Sequence, residues 1–187
     1  MKRTALAAAA LLLAAPLAAH AAGPTLLTHR PQTTIDTIIT KTAAAYAAAP
    51  NKLAAGAATH ARAHDMCQTM VPLKGEVRNW VGVVTRLDST ASGAGILAVM
   101  FGNNAIAETE AMDFGPLSDH TLLQPGSAVF KAATTLTVGE EVTFSGHFFP
   151  SKATCFKEMS LTTGDMMRKP HYEFLFTAIA PLASRKP

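Results

Sequence analysis

The sequence predicts an α+β protein in which a helical hairpin precedes a small antiparallel barrel. Apolar residues recur at helical spacing over about residues 31–70. After a loop at 72–75 they alternate with polar residues, as in half-buried strands. The order of elements adds a third observation, because three strands are followed by a helix and then by further strands. This order favours a closed barrel over an open sheet with helices on one face.

The helical part is divided by a proline. Thr33 or Thr34 can cap a first helix, and Pro50 interrupts the helical pattern. A second helix is expected from about residue 51 to 67. At about 100° per residue, one stripe of this helix is predicted to face the rest of the protein. That predicted inner stripe consists of Leu53, Ala57, His60, His64 and Cys67.

Three strands are expected after the helices, over residues 77–87, 96–101 and 105–112. Gly82 lies inside the first strand, which indicates a bend, a bulge or a close backbone approach. Turns rich in Gly, Ser and Asn join the strands into an antiparallel meander.

A short helix is expected over residues 127–136, between the third and fourth strands. The fourth strand, 142–149, alternates clearly, and its apolar face carries Phe144 and Phe148. A further strand is suggested at 155–161, a polar loop at 162–170, and a last strand at 171–179 that is apolar on both faces. The order matches that of an oligonucleotide/oligosaccharide-binding (OB) barrel, in which a helix follows the third strand.

Four segments together resemble a small OB-fold-like domain of the tRNA-anticodon-binding-like superfamily, found in uncharacterised bacterial proteins. They are NWVGVV from Asn79, LTVGEEVTFSGHF from Leu136, SLT from Ser160 and MRKPHYEFLF from Met167. The resemblance covers about residues 50–180. It implies a fold and no activity, because OB-like barrels serve many unrelated functions.

The N-terminus has the pattern of a secretory signal peptide. Lys2 and Arg3 precede an apolar run at 5–19, and Ala19 and Ala21 are small residues at the expected cleavage site. The run is shorter than the roughly 20 residues of a membrane span. We therefore expect a periplasmic or secreted protein. The expected organisation is a signal peptide (1–21), a flexible segment (22–32), a helical extension (33–70), the barrel domain (71–181) and a tail (182–187).

Charge and cysteine content narrow the function classes. The 187-residue chain has 16 basic and 13 acidic side chains, so loss of Lys2 and Arg3 leaves a nearly balanced protein. Such a balance gives no basic footprint for nucleic acid or anionic lipid. The two cysteines, Cys67 and Cys155, are expected to form a disulfide in an oxidising compartment. Two free buried thiols are the alternative.

Several polar clusters are candidate sites of chemistry. His60 and His64 have the i, i+4 spacing of metal ligands, although no third ligand can be named. Ser145 and His147 share a strand face but lie wide apart for a nucleophile and its base. Further acid–base candidates flank an irregular segment. They are Asp113, Asp119 and His120. No catalytic residue is predicted.

The favoured hypothesis is a non-enzymatic binding module whose partner is a protein, peptide or glycan of the cell envelope, with no cofactor. A metal-binding protein using His60 and His64, and an envelope hydrolase, are the alternatives. By analogy with OB barrels, a ligand is expected across the second and third strands, between the loops at 88–95 and 149–155. The candidate ligand-binding residues are Trp80, Ser89, Ser92, Ser151 and Lys152. Core packing is the competing interpretation for Trp80.

Overall fold

The structure is a computed structural model that describes residues 30–110 and 121–183. The predicted signal peptide, Asp113, Asp119 and His120 lie outside the described residues. Four α-helices, one 3₁₀ turn and seven strands are present in the described part. In chain order they are α1 (Arg30–Ala47), α2 (Lys52–Met70), the 3₁₀ turn (Val71–Leu73), β1 (Glu76–Ser89), β2 (Gly95–Phe101), β3 (Ala105–Glu108), α3 (Ala128–Ala133), β4 (Glu141–Phe148), β5 (Pro150–Ser151), β6 (Cys155–Phe156), α4 (Thr163–Arg168) and β7 (His171–Pro181).

Five of the strands form a closed barrel in the order β1-β2-β3-β7-β4, and β4 pairs back with β1. The prediction of a barrel preceded by helices is therefore confirmed. The prediction that all strands are antiparallel is wrong, because β3 and β7 pair in parallel, with Ile106 opposite His171. Both strands leave the same end of the barrel, since the long connection after β4 returns the chain beside the start of β3.

The barrel closes because β1 is long enough to pair on both sides. Its first part pairs with β4 from Glu76 to Val83, and its second part pairs with β2 from Val83 to Ser89. A side chain at Gly82 would meet the Met100 carbonyl oxygen at 2.5 Å. Glycine is therefore required where β1 crosses from one partner to the other, which agrees with the expected close backbone approach.

The barrel interior is filled with aromatic rings. Trp80 is 2% exposed, and its ring centroid lies 5.4 Å from that of Phe101 and 5.9 Å from that of Phe148. The apolar face predicted for the fourth strand points inward, with Phe144 and Phe148 buried. Offset and edge-to-face rings at such distances add to the stabilisation from burial.

The helices α1 and α2 form a hairpin that packs on the barrel. Asn51 caps α2, because its side-chain oxygen accepts the Ala54 N–H at 3.0 Å. Gln32 of α1 is buried and bonds both backbone groups of Val81 in β1, accepting the Val81 N–H at 3.0 Å. Asp36 accepts the Asn103 N–H in the β2–β3 turn at 2.7 Å. The hairpin is thus fixed to the barrel by side chain–backbone bonds as well as by apolar contact.

The inner stripe predicted for the second helix is wrong. Leu53 is 87% exposed, and His60 and His64 are exposed. The buried residues of α2 are Ala58, Arg62, Met66 and Met70. Alanines lie on both sides of this helix, so apolar spacing alone does not distinguish the two stripes.

Two other expectations are also corrected. The strand suggested at 155–161 is the two-residue β6, which pairs with β5 outside the barrel. The polar loop at 162–170 contains α4, capped by the Thr162 hydroxyl, which accepts the Asp165 N–H at 3.1 Å. Among residues 30–110 and 121–183, no helix has the length and apolar character needed to cross a membrane.

Candidate binding site

A cavity of about 340 Å³ lies between α2 and the chain that connects β4 to β7. Gly56, Ala63 and Met66 form its α2 side, and Met166 of α4 lies on the opposite side. Three polar side chains that interact with one another, Arg62, Glu158 and Tyr172, also line it, and Thr59, His60, Thr154 and Thr163 complete its polar lining. We call this feature the Arg62 cavity. Apolar walls with a few convergent polar groups are typical of small-molecule and side-chain binding pockets.

Arg62 is 4% exposed and is held by three partners. Its Nη1 donates to the Met166 carbonyl oxygen and lies 3.5 Å from Met167 Sδ. Its Nη2 donates to the Tyr172 hydroxyl at 2.6 Å. These partners come from α4 and β7, so the guanidinium joins α2 to two distant parts of the chain.

Glu158 provides the negative charge of the cavity. Its side chain is 8% exposed, and Oε1 lies 3.9 Å from Arg62 Nη2, within ion-pair range but beyond hydrogen-bond distance. Oε1 also accepts the Ser160 hydroxyl at 3.2 Å. Burial raises the pKa of Glu158 to about 7, against the lowering effects of the Arg62 charge and the Ser160 hydroxyl. The carboxyl is therefore divided between its neutral and ionised forms near neutral pH.

Tyr172 belongs to both the barrel interior and the cavity. Its ring packs 5.9 Å from Phe148 and 5.8 Å from Phe156, while its hydroxyl accepts the Arg62 hydrogen bond. Burial raises the pKa of Tyr172 to about 12, so the phenol is neutral at physiological pH. The position of the guanidinium is thus fixed by a ring of the barrel interior.

The predicted Cys67–Cys155 disulfide is confirmed. The two Cα atoms lie 5.2 Å apart, within the usual range for a disulfide, and the bond spans 88 residues. It joins the C-terminal half of α2 to the β5–β6 hairpin. Since Thr154, next to Cys155, lines the Arg62 cavity, the disulfide restrains the opposite wall of the cavity against α2.

The two histidines proposed as metal ligands lie on the exposed part of α2. His60 lines the mouth of the Arg62 cavity, and His64 Nδ1 lies 3.1 Å from Asp65 Oδ1. Within the described ranges, no group of three His, Cys, Asp or Glu side chains is arranged to hold a metal ion.

The expected ligand residues are not brought together. Trp80 has no open ring face, since it is enclosed by the barrel rings. Ser89 lines a small cavity beside Leu123, whereas Ser151 lines another beside the disulfide. Ser92 bonds Thr90 within its own turn. Lys152 is exposed in the β5–β6 hairpin.

The outer face of β2 and β3, where an OB barrel would bind its ligand, is not open either. Side chains alternate along a strand, so Ile96, Ala98 and Ile106 point away from the interior. They are nevertheless 6%, 3% and 3% exposed. This burial leaves little surface on the two strands for a ligand.

Ser145 and His147 lie at the edge of a separate polar groove. The Ser145 hydroxyl accepts the Asn79 N–H at 2.9 Å, at a point where Asn79 has a φ of 53°. His147 packs against Phe149, with ring centroids 5.7 Å apart. The serine therefore supports an irregularity in the β1–β4 pairing.

Sequence reasoning did not select Arg62, Glu158 and Tyr172. One signal was available, because Arg62 lies four residues from both Ala58 and Met66 on the stripe that is buried. An arginine within an otherwise apolar stripe indicates a buried charge that needs partners.

Comparisons with known proteins do not assign the chain to a family. No protein-family model matches the chain. No curated protein and no solved structure matches it either.

Proposed function

We propose that this chain is an exported, non-enzymatic binding module of the bacterial envelope that engages a protein, peptide or glycan at the Arg62 cavity. The observation that carries the proposal is a buried arginine and a buried carboxyl that meet in a largely apolar cavity open to solvent. Isolated buried charges are costly, and a structural role alone is served as well by apolar packing. A binding site explains why both groups face a cavity.

The strand order supports an OB-type barrel. Counting β7 as the fifth long strand, the barrel order is first, second, third, fifth and fourth, with α3 between the third and fourth strands. In OB barrels the connection between the fourth and fifth strands borders the ligand. Here that connection contains Glu158 and Met166, which line the Arg62 cavity. The resemblance to small OB-like domains agrees with this assignment.

Export is supported by the N-terminal pattern of Lys2, Arg3 and the apolar run at 5–19, and by the disulfide, which persists in oxidising compartments. N-terminal sequencing of the protein purified from the envelope should start near Ala22. Recovery of the intact chain from the cytoplasm would contradict this part of the proposal.

The cavity can be blocked without touching the core. A Cβ at Gly56 would have nothing within 4 Å, so Gly56→Trp should place its ring at the cavity mouth while the protein folds normally. Ala57→Trp is a matched control, because residue 57 is exposed on the same helix and does not line the cavity.

Ligand-observed NMR with envelope peptides and glycans tests the proposal. A ligand should bind the wild type and Ala57→Trp but lose binding to Gly56→Trp. A ligand that binds Gly56→Trp as well as the wild type uses another surface. Turnover of a cell-wall or ester substrate by the purified protein would contradict the non-enzymatic assignment.

A further inference from the structure

We infer that the ligand of the Arg62 cavity carries a carboxylate on a small apolar body, and that the Arg62 guanidinium binds this carboxylate. The inference rests on the proposed function, because it names the chemical class of ligand for the same cavity.

The unused donors of Arg62 point to an anion. An arginine has five N–H donors. Two on Nη1 are directed to Met166 and Met167, and one on Nη2 is donated to Tyr172. Among residues 30–110 and 121–183, the Nε hydrogen has no hydrogen-bond partner, and Nη2 makes no second hydrogen bond, since Glu158 Oε1 lies 3.9 Å from it. A guanidinium with two donors that make no hydrogen bond matches the two oxygens of a carboxylate.

The rest of the cavity fits an apolar body of limited size. Its volume of about 340 Å³ is near the lower end for ligand pockets. Ala63, Met66 and Met166 provide apolar walls, and the unbranched methionines adapt to different shapes. A short aliphatic chain or one amino-acid side chain fills such a space.

Glu158 determines whether the cavity accepts an anion. In its neutral form it can donate a hydrogen bond to a bound carboxylate, and in its ionised form it repels one. Binding of a carboxylate should therefore take up a proton and should weaken as the pH rises past neutrality. A cationic ligand is disfavoured in either form, because the permanently charged Arg62 lies 3.9 Å from Glu158.

Other charged groups lie on the elements around Glu158, and most have partners of their own. Lys157 pairs with Glu173, His171 with Glu108, and Arg168 with Asp165. On α2 His64 pairs with Asp65, and Lys52, Lys152 and Lys169 are exposed. The remaining titratable groups on α2, on the β4–β7 connection and on β7 are His60 and Tyr172, and Tyr172 stays neutral. His60 lines the cavity mouth, so its titration needs a separate control.

The experiment uses matched pairs of probes with the mature protein. Hexanoate is compared with hexanamide, and N-acetyl-alanyl-leucine with its C-terminal amide, by isothermal titration and NMR at pH 6. The first pair represents a fatty acid and the second a peptide C-terminus. At least one carboxylate should bind about tenfold or more tightly than its amide, the range for hydrogen bonds to charged groups. The carboxylate that binds more tightly shows whether the ligand is a fatty acid or a peptide C-terminus.

Five variants locate the interaction and test its pH dependence. Arg62→Lys keeps the charge but not the planar fork, and should weaken carboxylate binding about tenfold or more. Gly56→Trp, which leaves Arg62 intact, should abolish binding, and Ala57→Trp should not change it. Glu158→Gln should remove most of the weakening between pH 6 and pH 8. His60→Gln should retain the weakening of binding between pH 6 and pH 8.

Equal binding of acid and amide would overturn the inference, as would carboxylate binding that survives both Arg62→Lys and Gly56→Trp. Absence of carboxylate binding at 10 mM probe, on the order of the weakest specific affinities, also overturns it. The proposed function is tested separately, because these outcomes concern only the chemical class of the ligand. It survives if an uncharged peptide or glycan binds the wild type and Gly56→Trp blocks it.

Discussion

The barrel interior and the Arg62 cavity are both buried, yet they are built differently. The interior is a set of aromatic rings, with centroids 4.7–6.5 Å apart, that come from β1, β2, β4 and β7. The cavity brings together Arg62, Glu158 and Tyr172 from three elements, and each polar group needs a partner from another element. Apolar burial is non-directional and tolerates small shifts, whereas hydrogen bonds to a buried charge do not. We therefore expect the barrel to carry most of the stability and the cavity to carry the function.

The largest effect is expected inside the barrel. Phe148 contacts five rings, including Trp80 and Phe174. Phe148→Ala should lower the free energy of unfolding by about 3–5 kcal/mol, the range for large core truncations. Urea denaturation followed by Trp80 fluorescence measures it. Phe149→Ala, on the opposite face of the chain, should cost less than half as much, and equal losses would contradict the comparison.

Removal of the disulfide tests how much the cavity side of the molecule contributes to stability. Removal of both cysteines, by Cys67→Ala with Cys155→Ala, should cost about 2–4 kcal/mol because a long loop is released in the unfolded chain. Hydrogen exchange should increase at the end of α2 and over residues 150–168 more than in β1 and β4. An equal increase in hydrogen exchange in β1 and β4 would show that the disulfide supports the barrel as much as it supports the cavity.

The sequence predicted the barrel better than the cavity for a physical reason. In β4 the alternation of Val142, Phe144 and Phe148 with polar residues is visible over a few positions and assigns the inner face directly. In α2 the inner face is decided by Arg62, whose partners Met166 and Tyr172 lie about 100 residues later. Local spacing contains no trace of such partners.

The same argument covers the smaller errors. The parallel pairing of β3 and β7 is set by the path of the long connection after β4, which the strand pattern does not contain. The helix α4 has six residues including Gly164, so it is too short for a helical period to appear. The disulfide was predicted because the number and compartment of cysteines, and not the local pattern, determine pairing.

A pH dependence of stability is expected from the cavity. Because the pKa of Glu158 is raised from 4.5 to about 7, the folded protein binds more protons than the unfolded chain between these values. The free energy of unfolding should fall as the pH rises through this window, by about 3 kcal/mol at most. Glu158→Gln should remove this fall.

The measurement is the difference in unfolding free energy between wild type and Glu158→Gln at pH 4.5, 6 and 8. Other titrating groups cancel in the difference. The difference in unfolding free energy should be smallest at pH 4.5, and towards pH 8 the variant should become increasingly more stable than the wild type. A difference that is constant with pH would show that Glu158 ionises as an exposed glutamate does.

The smallest effect is expected at Gly56 beside the cavity, and Gly146 in the barrel is the contrasting glycine. Gly56→Ala should stabilise the protein by up to about 1 kcal/mol, because alanine favours a helix and the new Cβ has nothing within 4 Å. Gly146→Ala should destabilise it, since a Cβ there would overlap the Leu175 carbonyl oxygen. Thermal denaturation compares the two, and destabilisation by Gly56→Ala would indicate that the cavity mouth is tightly packed.

The long first strand has a consequence for how the chain folds. Glu76 pairs with His147, and β4 is itself held by β7 as far as Pro181. Contacts between such distant positions form slowly, because the intervening chain must first be ordered. The helical hairpin can form early, but β3 and β4 keep unpaired edges until β7 arrives. A chain that lacks β7, or whose last segment has not yet been synthesised, therefore exposes unpaired strand edges and depends on protection from aggregation.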